Sequence, residues 1–357
     1  RSTLFPYTTL FRSNFANTKI FVVYQKILWS KRKIFMGSSG VDRSSILPFQ
    51  GSDPGFKSRL EHQDLITNNE GFWSIILDRK NIEINPLLET YGEYIKKIDQ
   101  ALDKELALYS ESEFIEPLKY SLEGGKRIRP IILSLAAESI GEIDDNVLSA
   151  SCAVEFLHME SIIHDDIIDK ETMRRQKDPF HVKYGYNTSV LTGDFVLGLI
   201  LAISSRLDNA RITKDLATTA MLMSEGEMIE GRLESSEDIT FDDYLKVIEY
   251  KTATAFEVAA RTGGIIANGT EEQIEALTGY EKNLGIAYQI RDDLLDWKNE
   301  EKLFNLLIKK SVDPRDGFNK MEELLKEYSE KARSFLRKIP DNDAKINLEK
   351  LIKFTSF

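Results

Sequence analysis

The chain is short of cysteine. Its one thiol among 357 residues, Cys152, lies in an apolar stretch, so a disulfide framework is excluded and a reducing cytoplasm fits. Runs of alternating β-branched and polar residues are nearly absent, which removes the pattern of a half-buried strand. The 9 prolines and 20 glycines fall mainly between apolar-periodic segments, where they punctuate helices. No stretch reads as a membrane span: the apolar run at 20–29 is ten residues long and is interrupted by Gln25 and Lys26. Positive charge is in deficit as well. A formal net charge of −11 argues against a nucleic-acid partner.

Acid is missing only at the start. Residues 1–35 hold seven Lys/Arg and no Asp or Glu, so residues 36–357 carry 40 basic against 58 acidic side chains, a balance of −18. The first methionine is Met36, and 1–35 reads as a non-native or targeting extension. Residues 36–80 begin Gly/Ser/Pro-rich and are expected to be poorly ordered. The folded domain is expected over 81–357, with enough of the chain's 42% apolar content for a substantial core.

That domain reads as successive helices: 86–108, 113–122, 130–141, a long central one from Asp144 or Asp145 through Arg175, then 190–207, 213–233, 241–262 and 271–297. The fold class is all-α. The central helix carries polar residues inside an apolar surround. Asp165 and Asp169 are four apart and share a face. His158 lies two turns earlier on that face, and Arg174 and Arg175 follow it. One acidic pair more often marks a solvated face. Here the string recurs as Asp292-Asp293-Leu294-Leu295-Asp296, where Gln289, Asp292 and Asp296 repeat one helix face. Carboxylates on apolar helices call for a compensating cation, and oxygen-only ligands select a hard one, Mg²⁺ or Ca²⁺. Gly124-Gly125-Lys126-Arg127-Ile128-Arg129-Pro130 places three cations after a glycine pair. Alone it is equally a basic helix start; beside the Asp helices it reads as a pyrophosphate clamp.

Five motifs stand in order: GGKRIRP, HDDIIDKETMRR, LTGD, EYKTA and YQIRDDLLD. Together they resemble the trans-isoprenyl diphosphate synthases, the farnesyl/geranylgeranyl diphosphate synthase family. The likeness runs from about Ile84 to Trp297, with a looser helical tail. It implies a bundle of long antiparallel helices around a central cavity (the isoprenoid synthase fold), a homodimer, and several Mg²⁺ ions per site. By that resemblance Lys126, Arg129, His158 and Arg175 hold the diphosphate of isopentenyl diphosphate. Asp165, Asp169 and Asp292, supported by Asp296, hold Mg²⁺. Arg174, Lys251, Thr252 and Gln289 contact the allylic diphosphate. Asp165, Asp169, Arg174, Lys251 and Asp292 are then the catalytic set. Ionisation of the allylic C–O bond, attack by the isopentenyl double bond and loss of a proton follow, with water excluded.

Two departures stand out. The family's Gly-Lys loop after the second Asp motif is replaced by WKNEEKLFNLLIKK, leaving Lys298, Lys302, Lys309 and Lys310 as candidate substitutes. Glu227 and Glu230 stand where the family more often shows Gln and Asp. Product length is read from Glu160 and Ser161, five and four positions before the first Asp, where the family's aromatic residues stop the chain short. Neither is aromatic here, which favours C20 geranylgeranyl diphosphate over C15 farnesyl diphosphate. Glu160 must find a partner or blunt the tunnel, since a lone carboxylate in an apolar channel is costly. The other readings are a non-catalytic synthase subunit and a class I terpene cyclase; the complete basic clamp counts against both.

Overall fold

The computed structural model describes residues 85–174, 177–236, 238–296, 302–311 and 313–353. These lie in one compact unit, Glu70–Phe357. The expectations for 1–35 and 36–80, and the role given to Arg175, fall outside the described residues. All regular structure described is helical; the nearest thing to a strand is one antiparallel bridge between Arg174 and Lys177.

The centre of the unit is α4 (Asp145–Ile168), after α1 (Asn85–Ala107), α2 (Ile115–Leu122) and α3 (Ile128–Glu138). Asp144 starts it as expected: its Oδ1 accepts from the Val147 amide at 2.9 Å, satisfying one orphan donor of the first turn. Val147, Ala153, Phe156, Leu157 and Ile163, which point in several directions around the helix, are each at most 1% exposed. A helix apolar all round has to be enclosed. α4 is packed by α1, α3, α6 (Tyr186–Arg206) and α9 (Thr254–Ile266), with the short α5 (Phe180–Tyr184) at its C-terminal end. α3 is buried almost as fully, and Pro130 sits in its first turn where no amide donor is needed.

The central helix is shorter than the sequence suggests. It stops at Ile168, with Asp169 as C-cap and Lys170 in the left-handed region at φ 51°. The Glu171 amide then donates to the Asp166 carbonyl at 3.1 Å, closing the end. Arg174 therefore lies on a loop and not on the Asp face. The expected helix over 241–262 is also broken. α8 (Phe241–Ile248), opened by a Thr240/Asp243 capping box, passes into a π-helical turn at Glu249–Ala253 before α9.

α6 corrects the membrane reading. Over 21 residues it is long and apolar enough to span a bilayer, and 44% of its most apolar stretch is buried inside the bundle. Its apolar composition serves two faces. One packs on α4; the other leaves Tyr186, Val190, Leu197 and Leu201 exposed by 46–57%. A second apolar cluster seats the C-terminal half of α10 (Glu271–Asp296). Tyr244 of α8, Ile290 of α10, Phe304 of α11 (Leu303–Lys310) and Met321 of α12 (Pro314–Leu336) are each at most 2% exposed there. α7 (Ala210–Glu234) packs along the π turn, and α13 (Asp343–Lys353) closes the bundle on α3.

Candidate active site

Asp165 and Asp169 end α4, the first half-buried and the second exposed. Burial pushes the Asp165 carboxyl up to about 7 against the pull of the Lys251 ammonium, and Glu227 and Asp169 add to the rise. Asp169 is raised by the same influences. Asp166 behaves differently. One residue on, it stands about 100° round the helix, is 2% exposed, and binds the Nε of Arg174. Arg174 thus faces Asp166 and not the Asp165–Asp169 face.

The π turn brings Lys251 to the two acids. Its backbone is gripped on both sides by glycines. A Cβ on Gly226 of α7 would stand 2.9 Å from the Lys251 amide nitrogen, and one on Gly285 of α10 would stand 2.9 Å from the Ala253 Cα. Only glycine permits that double approach. Lys251 Nζ then lies 2.5 Å from Glu227 Oε2 and 2.5 Å from Glu230 Oε2. Burial acts to lower the Lys251 pKa, but Glu230, Asp165 and Glu227 outweigh it and hold the ammonium well above its ordinary range. The two glutamates that depart from the family pattern therefore bracket Lys251. One residue on, the Thr252 hydroxyl donates to Gln289 Oε1 at 2.9 Å.

On α10, Asp292 is half-buried and Asp296 exposed. Burial and Asp293 push Asp292 up to about 6, while Arg291 and Lys126 pull it down. The Lys126 influence ties this wall to the glycine-pair motif. Asp293 turns inward, as Asp166 does. It is 8% exposed and accepts from the Tyr244 hydroxyl at 2.6 Å and from Gln289 Nε2 at 2.9 Å. Burial pushes the Asp293 carboxyl up to about 6 against the hydrogen bonds from Tyr244 and Gln289, and the Lys302 ammonium, one of the candidate lysines, pulls it down. Lys298 and the Lys310 side chain lie outside the described residues.

A cleft holding about 480 Å³ of solvent-open space is lined by Lys126, Arg129, His158, Met159 and Ile162. The Arg129 guanidinium lies 4.8 Å from the centre of the Phe256 ring. The third cation of the string has another task. Arg127, at φ 54° and 8% exposed, pairs with Asp99 Oδ1 and Glu155 Oε1, both at 2.8 Å. The clamp read as three cations is thus two cations and a structural arginine, because Glu155 is 5% exposed and needs a countercharge. Arg174 lines a neighbouring cleft that shares Met159 and Ile162. The structure thus brings together Lys126, Arg129 and His158, and separately Asp165, Asp169, Lys251, Thr252 and Gln289. Asp166, Asp293 and Tyr244 were passed over in the sequence, although the 100° step past each first Asp already signals the inward turn.

A family model described as polyprenyl synthetase matches residues 111–310. The chain belongs to this family. It is 34% identical over 212 residues to the geranylgeranyl diphosphate synthase of Methanosarcina mazei, covering 58% of this chain and 65% of that protein. With the octaprenyl diphosphate synthase of Haemophilus influenzae it shares 38% over 174 residues, 49% of this chain and 53% of the relative. The match therefore spans between about half and two thirds of these relatives' lengths. The crystal structure of a polyprenyl synthase from Caulobacter crescentus, complexed with calcium and isoprenyl diphosphate, superposes with a TM-score of 0.67 at 25% identity, covering 76% of this chain and 96% of that one.

As a polyprenyl synthetase-family site, the donor chemistry suits a hard divalent cation, although among the described residues no three His, Cys, Asp or Glu side chains are grouped as a closed metal site. The acidic donors on the two Asp helices are carboxylate oxygens, and burial, with neighbouring carboxylates adding, raises Asp165, Asp169 and Asp292. Lys251 supplies only part of the balancing positive charge.

Proposed function

We propose that the chain is a Mg²⁺-dependent prenyltransferase that condenses isopentenyl diphosphate head-to-tail with an allylic diphosphate, giving geranylgeranyl diphosphate (C20). The carrying observation is the meeting of two charge environments. Asp165 and Asp169 end the helix whose His158 lines a cleft with Lys126 and Arg129, and the Lys126 charge reaches Asp292 on the other Asp helix. A carboxylate wall repels diphosphates, so both environments serve one ligand class only when divalent cations lie between them. In this reading 81–357 is the synthase domain.

Lys126, Arg129, His158 and Arg175 hold the isopentenyl diphosphate. Asp165, Asp169 and Asp292, with Asp296 in support, carry the Mg²⁺, which supplies charge neutralisation of the leaving diphosphate. Lys251, Thr252 and Gln289 meet the allylic diphosphate from the π turn and α10, and Arg174 joins them by leaving Asp166. The cationic groups stabilise the departing charge, and the enclosing helices keep water from the allylic cation.

Product length rests on Ser161 and Glu160. The Glu160 carboxylate pairs with His164 Nδ1 at 3.1 Å, so it has a partner within α4, and the Ser161 hydroxyl folds back onto the His158 carbonyl. Neither blocks the way as an aromatic ring does, which supports C20 over C15. The exposed Tyr186–Leu201 face of α6 supports a homodimer, because an apolar strip of that length calls for a cover. The free, buried Cys152, its thiol pushed up to about 12 by burial, suits a reducing cytoplasm.

Incubation with labelled isopentenyl diphosphate, each allylic primer and Mg²⁺, followed by chromatography of the dephosphorylated products, tests the whole reading. A dominant C20 product is expected. A C15 or C30-plus product overturns the chain length, and no condensation with any primer overturns the activity.

A further inference from the structure

We propose that Asp293 is a positioning residue that holds the Gln289 side-chain amide so that its remaining N–H is offered to an anionic ligand. The inference rests on the prenyltransferase reading and adds to it a residue that touches no substrate.

The argument is one of donors and acceptors. An ionised carboxylate only accepts hydrogen bonds. Both Asp293 oxygens are taken, Oδ2 by the Tyr244 hydroxyl at 2.6 Å and Oδ1 by Gln289 Nε2 at 2.9 Å. The Gln289 amide nitrogen must therefore face Asp293, and its carbonyl must face Thr252. That carbonyl only accepts, so the Thr252 hydroxyl donates its single proton to it, at 2.9 Å. Two consequences follow. Gln289 keeps one N–H for a ligand while its carbonyl stays turned to Thr252, and the Thr252 hydroxyl proton is used up.

The pivot is rigid. Tyr244 is 2% exposed and Asp293 8%, and the Tyr244 ring lies 6.0 Å from that of Phe304 in the second apolar cluster. Tyr244 reaches Asp293 across 49 residues of sequence. The relay thus ties α8, the π turn and α10 to one another at the point where the allylic diphosphate is expected. Without an acceptor at Asp293, the amide is free to invert and to turn its carbonyl toward the anion, which costs a charge-assisted hydrogen bond.

Asp293→Asn keeps the shape and replaces one acceptor by a donor. Two measurements are made on the full chain with Mg²⁺: calorimetric binding of an unreactive allylic thiolodiphosphate, and KM for isopentenyl diphosphate. The variant should bind the analogue about tenfold more weakly, the size of one lost hydrogen bond to a charged group, with KM for isopentenyl diphosphate and the thermal midpoint unchanged. In a Gln289→Leu background the donor that Asp293 positions is gone, so Asp293→Asn should then cost less than about twofold. If Asp293→Asn does not fold, Tyr244→Phe replaces it: releasing the anchor should weaken the analogue selectively. Wild-type affinity in the variant overturns the relay alone, as do an undiminished loss in the Gln289→Leu background and an equal loss for both substrates. A wild-type protein that neither turns over nor binds the analogue overturns the prenyltransferase reading, and the relay falls with it.

Discussion

Replacing Lys251 with Met tests whether its ammonium holds the acid cluster together. Lys251 Nζ lies 2.5 Å from each of Glu227 and Glu230, and the three side chains are only 22%, 16% and 22% exposed. At an effective dielectric constant of about 20, each pair at this distance attracts by roughly 7 kcal/mol, most of which is offset by desolvation. Removing one partner from such a buried set leaves the others uncompensated and costs about 3–5 kcal/mol. The loss should depend on pH. Asp165 already titrates at about 7 with Lys251 present, and without it the neighbouring carboxyls rise further. A raised carboxyl stabilises the folded state below its unfolded pKa, and that stability drains away as pH climbs through the folded value. Lys251→Met should therefore lose about 3–5 kcal/mol at pH 8 and less at pH 6, where protonation relieves the cluster. Urea denaturation at both pH values, with the midpoint shift multiplied by a common slope, gives the number. A loss below about 1 kcal/mol at pH 8, or a larger loss at pH 6, would refute the reasoning.

Asp165→Ala should lower condensation on the order of a hundredfold or more while circular dichroism stays helical; near-wild-type turnover sinks the metal assignment. Ser161→Phe should move the chromatographic product profile toward C15, and an unchanged profile shows that Ser161 does not face the growing chain. Glu281 is 0% exposed, and burial raises its carboxyl well above 4.5. Its folded form keeps the proton, so wild-type stability declines as pH rises from about 4.5. Glu281→Gln removes that decline, and the stability difference between variant and wild type should shift in the variant's favour from pH 5 to pH 8. A difference independent of pH in urea melts contradicts this.

The chain's own order settled a good deal without the fold. Helix class, the start of α4 at Asp144, the shared face of Asp165 and Asp169, and the repeat of that face around Asp292 all depend on steps of three and four residues. Such steps are local, so the linear text carries them. The partners that decide what each charge does are not local. Arg127 is taken up by Asp99 and Glu155, each 28 residues away; nothing within the KRIR string distinguishes it from its neighbours. Lys251 meets Glu230 21 residues off, and only because Gly226 and Gly285 let two helices close on a π turn that no periodicity announces. The loss of Arg174 from the central helix turned on Lys170 taking a left-handed backbone without glycine, a conformation decided by the packing around it. Periodicity follows from covalent spacing and could be read in advance; burial and pairing are set by which distant groups arrive at the same place, and that was decided by the tertiary structure.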